Sequence, residues 1–158
     1  MSNNSKLPLR TGVGIVLLTN QTNIFVGRRI DNPKNSWQMP QGGVNKNENF
    51  LNAAKRELEE ETGVKSIELI KELDEWLEYE LPENLLGKIW KGKYRGQKQK
   101  WFVMKFTGKD EEINVNTKNP EFLSWKWIKT SELTNIAVSF KLDIYKKLQD
   151  ELNFLNLN

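Results

Sequence analysis

The sequence contains no cysteine and no histidine among its 158 residues. Without cysteine the chain has no disulfide, thiolate metal site or thiol nucleophile, which suits a reducing cytoplasm. Without histidine it has no Ser-His-Asp triad or imidazole metal ligand, so acid–base chemistry falls to carboxylates, lysine, tyrosine or metal-bound water. Long apolar runs are also missing: residues 13–18 are too few to cross a bilayer, and the first ten residues contain no apolar signal segment. We therefore expect a soluble, cytoplasmic protein without a membrane partner.

Acidic and basic side chains nearly balance, with a net charge of +3, so the chain as a whole is not a general nucleic-acid binder. Residues 88–100 are the exception, because they contain six basic side chains, no acidic one and interleaved aromatic residues. Such a segment can bind phosphates and stack on bases, or it can be a solvated loop between strands; composition leaves both open. The basic residues are Lys88, Lys91, Lys93, Arg95, Lys98 and Lys100.

Residues 48–62 are dense in helix-forming side chains. We predict a helix there, with Asn45 or Asn47 as its N-cap and Gly63 as its stop. At 3.6 residues per turn, one apolar stripe of this helix faces the core. The predicted stripe consists of Leu51, Ala54 and Leu58.

Three carboxylates, those of Glu57, Glu60 and Glu61, stand at i, i+3 and i+4 on this helix and share one face. Their mutual repulsion destabilises the helix unless a cation binds, and hard oxygen ligands favour Mg²⁺, with Mn²⁺ or another divalent cation as a substitute. The alternative is a solvated acidic face. Arg56 can pair with Glu48 and hold the preceding loop against the helix, which is a structural role.

Strand patterns precede and follow the helix. We predict strands at residues 13–18, 23–29, 66–70, 75–81, 100–107 and 124–128. An Asn-Pro pair predicts a loop over residues 31–36, and apolar side chains at helical spacing predict a final amphipathic helix over residues 138–155. This order predicts an α/β fold with a mixed β-sheet sandwiched between α-helices. We expect one domain over residues 1–158, with its core at about residues 10–155.

Residues 42–64 follow the pattern G-x5-E-x7-R-E-L-x-E-E-x-G-V. This pattern resembles the Nudix box, the signature of enzymes that hydrolyse a nucleoside diphosphate linked to another group, and all nine positions match. The resemblance continues in SWQMPQGG at residues 36–43, GQKQKWF at 96–102 and VSFK at 138–141. Together these segments are similar to the bacterial RNA pyrophosphohydrolase group, also described as dinucleoside polyphosphate hydrolases and linked to host-cell invasion. The resemblance implies the Nudix fold, an α/β/α sandwich.

In the group that the chain resembles, box glutamates bind Mg²⁺ with the help of a backbone carbonyl and of a glutamate outside the box. The metal ligands implied for this chain are Gly42, Glu57, Glu60, Glu61 and Glu121. The resemblance assigns the general base to Glu121, with Glu57 as the alternative. Glu48, Arg56 and Gly63 keep structural roles in the box.

The resemblance also implies a set of substrate contacts. Arg10 and Arg29 match positions that contact 5′ phosphates, a task for which the guanidinium fork is suited. Phe140 matches a pocket for the first RNA bases, although packing in the core explains a phenylalanine there equally well. The full implied set is Arg10, Arg29, Ser36, Gln97, Lys100, Val138, Phe140 and Lys141.

These features favour a metal-dependent hydrolase that removes pyrophosphate from the 5′-triphosphate end of RNA and leaves a 5′-monophosphate, which exposes an mRNA to decay. The alternative is a diadenosine polyphosphate hydrolase that cleaves diadenosine tetraphosphate to ATP and AMP. A third hypothesis is a nucleotide-binding module without activity, which we would expect to have lost box glutamates that this chain retains. No stable protein partner is expected.

Overall fold

The computed structural model describes residues 7–31 and 36–155, which form one mixed sheet with helices on both faces. The helices are α1 (Phe50–Thr62), α2 (Leu133–Ile136) and α3 (Leu142–Leu155). The strands are β1 (Leu9–Leu18), β2 (Ile24–Arg29), β3 (Trp37–Gln38), β4 (Gln41–Gly43), β5 (Ile67–Glu72), β6 (Leu77–Glu80), β7 (Gly96–Phe106) and β8 (Phe122–Ile128).

Strand β1 is the centre of the sheet. It pairs in parallel with β7 along its whole length, from Leu9 opposite Gly96 to Leu18 opposite Lys105. Its other edge is shared, because β4 pairs with it antiparallel near its start and β2 pairs with it at its end. The short strand β4 therefore pairs with the central strand on the same side as β2.

Side-chain alternation along β1 gives the sheet two apolar faces. Val13, Ile15 and Leu17 face α1 and are buried with Ala54 and Leu58 of that helix. Val16 and Leu18 point the opposite way and are buried in a second core with residues of α3. The predicted mixed sheet between helices is thus confirmed.

Helix α1 begins later than predicted. Its N-cap is Asn49, whose side-chain oxygen accepts from Asn52 N at 2.7 Å, so neither Asn45 nor Asn47 is the cap. The predicted stop is confirmed, because Gly63 adopts a left-handed φ of 75° and its N–H donates to Glu59 O. The last helix also begins later, at Leu142, after a single 3₁₀ turn over Ser139–Lys141.

The six predicted strands exist with shifted bounds, and β3 and β4 were not predicted. Each is only two or three residues long, too short to show alternation. Most of the predicted loop over residues 31–36 lies outside the described residues. No helix in the described ranges is long and apolar enough to cross a membrane.

Candidate active site

A cleft of about 670 Å³ opens beside β4, where the acidic face of α1 meets the loops that precede α3. It brings together most of the residues that the sequence predicts for the site, although they come from positions far apart in the chain. The predicted residues that line it are Arg10, Arg29, Ser36, Gly42, Glu57, Glu60, Glu61, Glu121, Val138, Phe140 and Lys141. Gln97 and Lys100 are not among the lining residues.

Glu61 is the most buried acidic group of the cleft. Its side chain is on the helix face that turns into the protein, and the residue is only 5% exposed. Its Oε2 atom has no hydrogen-bond partner within the described part of the chain. Burial, with Glu57 and Glu121 nearby, raises the pKa of Glu61 well above its usual range. A buried carboxylate oxygen without a partner is costly, and a bound cation would remove that cost.

Glu57 lies directly against the backbone of β4. A Cβ atom at Gly42 would overlap the carboxyl carbon of Glu57, so this close approach requires glycine. Burial raises the pKa of Glu57, and the adjacent guanidinium of Arg56 opposes the shift. The Gly42 backbone and the Glu57 carboxylate are therefore held side by side at the cleft.

Arg56 holds the loop before α1 to the helix. It donates from Nε to Glu48 Oε2 at 2.8 Å and from Nη2 to Gly43 O at 3.0 Å. The predicted pair with Glu48 is thus present. Arg56 also donates to Glu57 Oε1 at 2.8 Å and to Glu60 Oε2 at 3.2 Å, contacts that the sequence did not indicate.

The donor set fits a hard divalent cation, because it consists of carboxylate and carbonyl oxygens and includes the unpartnered Oε2 of Glu61. Within residues 7–31 and 36–155, however, no three acidic side chains already surround a common point. Arg56 holds two of them, Glu57 and Glu60. Arg56 donates to Oε1 of Glu57 and to Oε2 of Glu60, so the second oxygen of each carboxylate remains available to a cation.

Glu121 and Arg29 come from the opposite wall of the cleft. Glu121 precedes β8 and is exposed, and its backbone oxygen accepts from Ile30 N at 3.0 Å. Desolvation by the surrounding wall raises the pKa of Glu121, whereas the charge of Arg29 lowers it. Arg29 donates from Nε to Asp31 Oδ1 at 2.8 Å, a partner that the sequence did not indicate.

Arg10 lies on the face of the sheet opposite α1. Its Nη1 donates to Gln97 Oε1 at 3.3 Å, and its guanidinium lies 5.4 Å from the centre of the Trp90 ring. Gln97 is fully buried and also donates to Tyr79 Oη at 2.8 Å. Gln97 therefore lies behind Arg10 and outside the residues that line the cleft, and its contact with substrate stays a prediction.

Lys141 is a buried cation at the floor of the cleft. It is 4% exposed, donates to Gln38 Oε1 at 3.0 Å and lies 5.5 Å from the Tyr79 ring centre. Burial, reinforced by Arg29, lowers the pKa of Lys141 to about 7. Phe140 is partly buried against the core and also lines the cleft, with its ring 5.6 Å from that of Tyr79. The two interpretations of Phe140 are thus compatible.

Lys100 is not among the residues that line the cleft, and its contact with substrate stays a prediction. Its side chain is mostly buried on the α1 face of the sheet, where Nζ donates to Asp74 O at 3.2 Å and lies 3.6 Å from Glu72. Successive side chains of a strand point to opposite faces, so Lys98 and Lys100 both point away from the face that carries Arg10. The exposed cations of residues 88–100 are Lys88, Lys91, Lys93 and Lys98.

The apolar wall of the cleft was missed. Leu81, Leu85, Ile89 and Trp90 line it, and all precede β7. Leu81 ends a predicted strand, and only Ile89 and Trp90 lie in the basic and aromatic segment 88–100. The available signal was the pair Ile89–Trp90 within the lysine-rich run, because apolar side chains in an otherwise solvated loop need a surface to cover.

A model of the NUDIX domain family matches residues 8–148 of the chain. The chain is 60% identical over 153 residues to the RNA pyrophosphohydrolase of Pelagibacter ubique, covering 96% of this chain and 97% of that protein. It is 49% identical over 148 residues to the RNA pyrophosphohydrolase of Roseobacter denitrificans, covering 92% of each. Its fold is similar to that of the E. coli dihydroneopterin triphosphate pyrophosphohydrolase, with a TM-score of 0.72, 20% identity, and coverage of 92% and 99%.

Proposed function

The chain belongs to the NUDIX domain family of pyrophosphohydrolases, and we propose that it removes pyrophosphate from the 5′-triphosphate end of RNA to leave a 5′-monophosphate. The proposal is supported by relatives named RNA pyrophosphohydrolase that match nearly the whole chain at 60% and 49% identity. Such an activity acts where transcripts are made and degraded, so we place it in the cytoplasm.

The observation that carries the proposal is the composition of the cleft. One wall presents the glutamates of α1, and the same cleft contains Arg10, Arg29 and an aromatic floor of Tyr79 and Phe140. A polyphosphate joined to a nucleoside needs this combination, because its phosphates are anionic and its base is flat and apolar. Arginine also binds phosphate oxygens with two parallel hydrogen bonds.

Nudix hydrolases generally use divalent cations, and we infer that Mg²⁺ serves here, with Mn²⁺ as a substitute. The residues that would hold it are Glu57, Glu60, Glu61 and Glu121 and the Gly42 carbonyl. When bound, the cation supplies charge neutralisation for the phosphates and a lower pKa for a water molecule. Glu61, which is buried beside Glu57, is the ligand whose charge most needs a cation.

We propose Glu121 as the group that takes the proton from the attacking water. Glu57 is engaged by Arg56 at 2.8 Å, whereas Glu121 is exposed to the cleft. Partial desolvation raises the pKa of Glu121 towards the range in which a carboxylate is an effective base. Arg10 and Arg29 would hold the transferred and neighbouring phosphates during this step.

Diadenosine tetraphosphate as the main substrate is not favoured, because relatives that are 60% and 49% identical over nearly the whole chain are named for RNA. A non-hydrolysing binding module is not favoured either, because all box glutamates are present. The deciding measurement is kcat/KM on 5′-triphosphate RNA, 5′-diphosphate RNA and diadenosine tetraphosphate, each with Mg²⁺ and with EDTA. We expect the highest value on triphosphate RNA and no turnover in EDTA. A higher kcat/KM on the dinucleotide would contradict the proposal.

Substitution of the box glutamates tests the metal assignment. Glu57→Gln and Glu60→Gln should each lower kcat by roughly 100-fold or more, because charge that neutralises the phosphates through the cation is lost. Glu59→Gln is the matched control, since Glu59 is exposed on the same helix and pairs only loosely with Lys65 at 3.9 Å. Near wild-type turnover in the first two variants would rule out their role as ligands.

A further inference from the structure

The wall formed by residues 81–90 ends in an unusual backbone. Trp90 and Lys91 have φ values of 50° and 57°, in the left-handed region that side chains with a Cβ rarely occupy. The flanking Gly87 and Gly92 also have positive φ, at 79° and 71°. Two hydrogen bonds close the turn: Gly92 N donates to Ile89 O, and Lys93 N donates to Trp90 O. This strained backbone determines the direction of the Trp90 side chain. Backbone strain of this kind is concentrated at functional sites.

The Trp90 side chain lines the cleft next to Arg10, the arginine proposed to bind phosphate. The Arg10 guanidinium lies over the Trp90 ring, 5.4 Å from the ring centre, and the Tyr94 ring contacts it edge-on with the two ring centres 6.2 Å apart. The side chain is only partly buried, so part of the indole remains open to the cleft. Leu85 and Ile89 add apolar surface to the same cleft.

This surface has the properties of a nucleobase site. A flat apolar ring that is partly exposed at a cleft can stack on a purine or a pyrimidine, because every base has a π-face. The adjacent Arg10 is suited to the phosphate to which that nucleoside is attached. The Tyr79–Phe140 pair lines the same cleft, with its two ring centres 5.6 Å apart.

Resting on the proposed function, we propose that Trp90 stacks on the first nucleobase of the RNA 5′ end while Arg10 beside it holds the attached phosphate. Trp90 is then a substrate-binding residue that sets how tightly the 5′-terminal nucleoside is held. Because stacking grows with ring area, the enzyme should favour purines over pyrimidines as the first base.

The test uses two triphosphate RNAs of one sequence, one with a normal 5′-terminal purine and one with an abasic ribose at that position. Trp90→Leu should lower kcat/KM on the normal RNA by roughly 5- to 100-fold and leave the abasic RNA within about twofold. Trp90→Phe should retain most of the activity on the normal RNA. The ratio of the two substrates within one enzyme preparation does not depend on the folded fraction, so partial misfolding cannot imitate the result.

Trp76→Leu is the matched control, because Trp76 is partly buried, lies beside Lys98 and Lys100, and is outside the cleft. It should leave the substrate ratio unchanged. An equal loss on both RNAs in Trp90→Leu would mean that Trp90 acts only by positioning Arg10, and this would overturn the stacking proposal. An unchanged rate on both would overturn it as well. Release of pyrophosphate by the wild-type enzyme tests the proposed function separately from either outcome.

Discussion

Two adjacent glycines show how single residues separate the two tasks of the cleft. A Cβ at Gly42 would overlap the Glu57 carboxyl group, whereas a Cβ at Gly43 would overlap the guanidinium of Arg10. Neighbouring positions on β4 point to opposite faces of the sheet, so one glycine makes room on the α1 face and the next on the other. Packing therefore requires both glycines of the GG pair.

Gly42→Ala should lower kcat by about 100-fold with little change in KM, because displacement of Glu57 by roughly 1 Å spoils the geometry of the acidic face. The obstructing atoms belong to a side chain, so the fold should be retained. Steady-state kinetics with a parallel thermal melt measure both effects. Gly43→Ala is the internal comparison and should instead raise KM through Arg10. The same kinetic change in both variants would show that the two tasks are not separate.

Lys141 predicts a pH dependence of stability. Burial lowers the pKa of Lys141 to about 7 in the folded protein, compared with 10.5 for a free lysine. Between these values the unfolded chain binds a proton that the folded chain does not, so the free energy of unfolding rises with pH. From pH 7.0 to 8.5 the expected gain is about 1 to 2 kcal/mol. Urea denaturation in EDTA should show this slope in the wild type and lose it in Lys141→Met; equal slopes would contradict the shifted pKa.

At the scale of elements, α1 shows what a local pattern can and cannot define. The spacing of its glutamates and its stop at Gly63 were read correctly because both depend on residues close in sequence. The start of α1 was predicted wrongly, because the run NKNEN contains three asparagines with similar capping ability. Asn47 instead takes a left-handed φ of 65°, which turns the chain so that Glu48 Oε1 can accept from Asn45 N at 3.0 Å.

The N-cap itself is testable. Asn49→Ala should lower the free energy of unfolding by about 1 kcal/mol, because the Asn52 N–H loses its acceptor at the helix start. Asn45→Ala is the control, since Asn45 is exposed and the bond from Asn45 to Glu48 uses its backbone. That variant should stay within about 0.5 kcal/mol of the wild type. If chemical denaturation shows a larger loss of unfolding free energy in Asn45→Ala than in Asn49→Ala, Asn45 is the N-cap and this assignment is wrong.

At the scale of the whole molecule, the predictable part of the site is the part encoded by local spacing and by the family pattern. The acidic face lies on one helix, and Arg10, Glu121 and Lys141 reach the same cleft from three other segments. Lys100 does not reach this cleft, because side-chain alternation along β7 directs it to the α1 face. A local sequence pattern does not show which face of a strand borders a cleft. The wall that contains Trp90 was missed for the same reason, since only tertiary packing decides where a loop folds.

The last prediction concerns the exposed lysines beside the wall that contains Trp90. Lys88 and Lys91 flank Trp90 and are exposed, so they are placed to contact phosphates of RNA that extends beyond the cleft. Reversing both charges to glutamate should weaken RNA binding and reduce the slope of log affinity against log salt by about 1.4, at roughly 0.7 per lost phosphate contact on a single strand. Diadenosine tetraphosphate is too short to reach beyond the cleft, so its KM should change little.

The control for this double reversal is Lys55→Glu with Lys65→Glu, which changes the net charge equally at exposed positions on and just after α1. Neither lysine lines the cleft, and salt screens exposed charges, so this control reversal should affect RNA binding only weakly. If the control weakens RNA binding as much as the reversal at Lys88 and Lys91, the change in net charge explains the effect. Lys88 and Lys91 then do not contact the RNA specifically. If RNA and dinucleotide suffer equally from the reversal at Lys88 and Lys91 alone, these lysines act on the cleft itself. The substrate site extends beyond the first nucleotide only if the reversal at Lys88 and Lys91 weakens RNA binding, leaves the dinucleotide KM unchanged, and is not reproduced by the control.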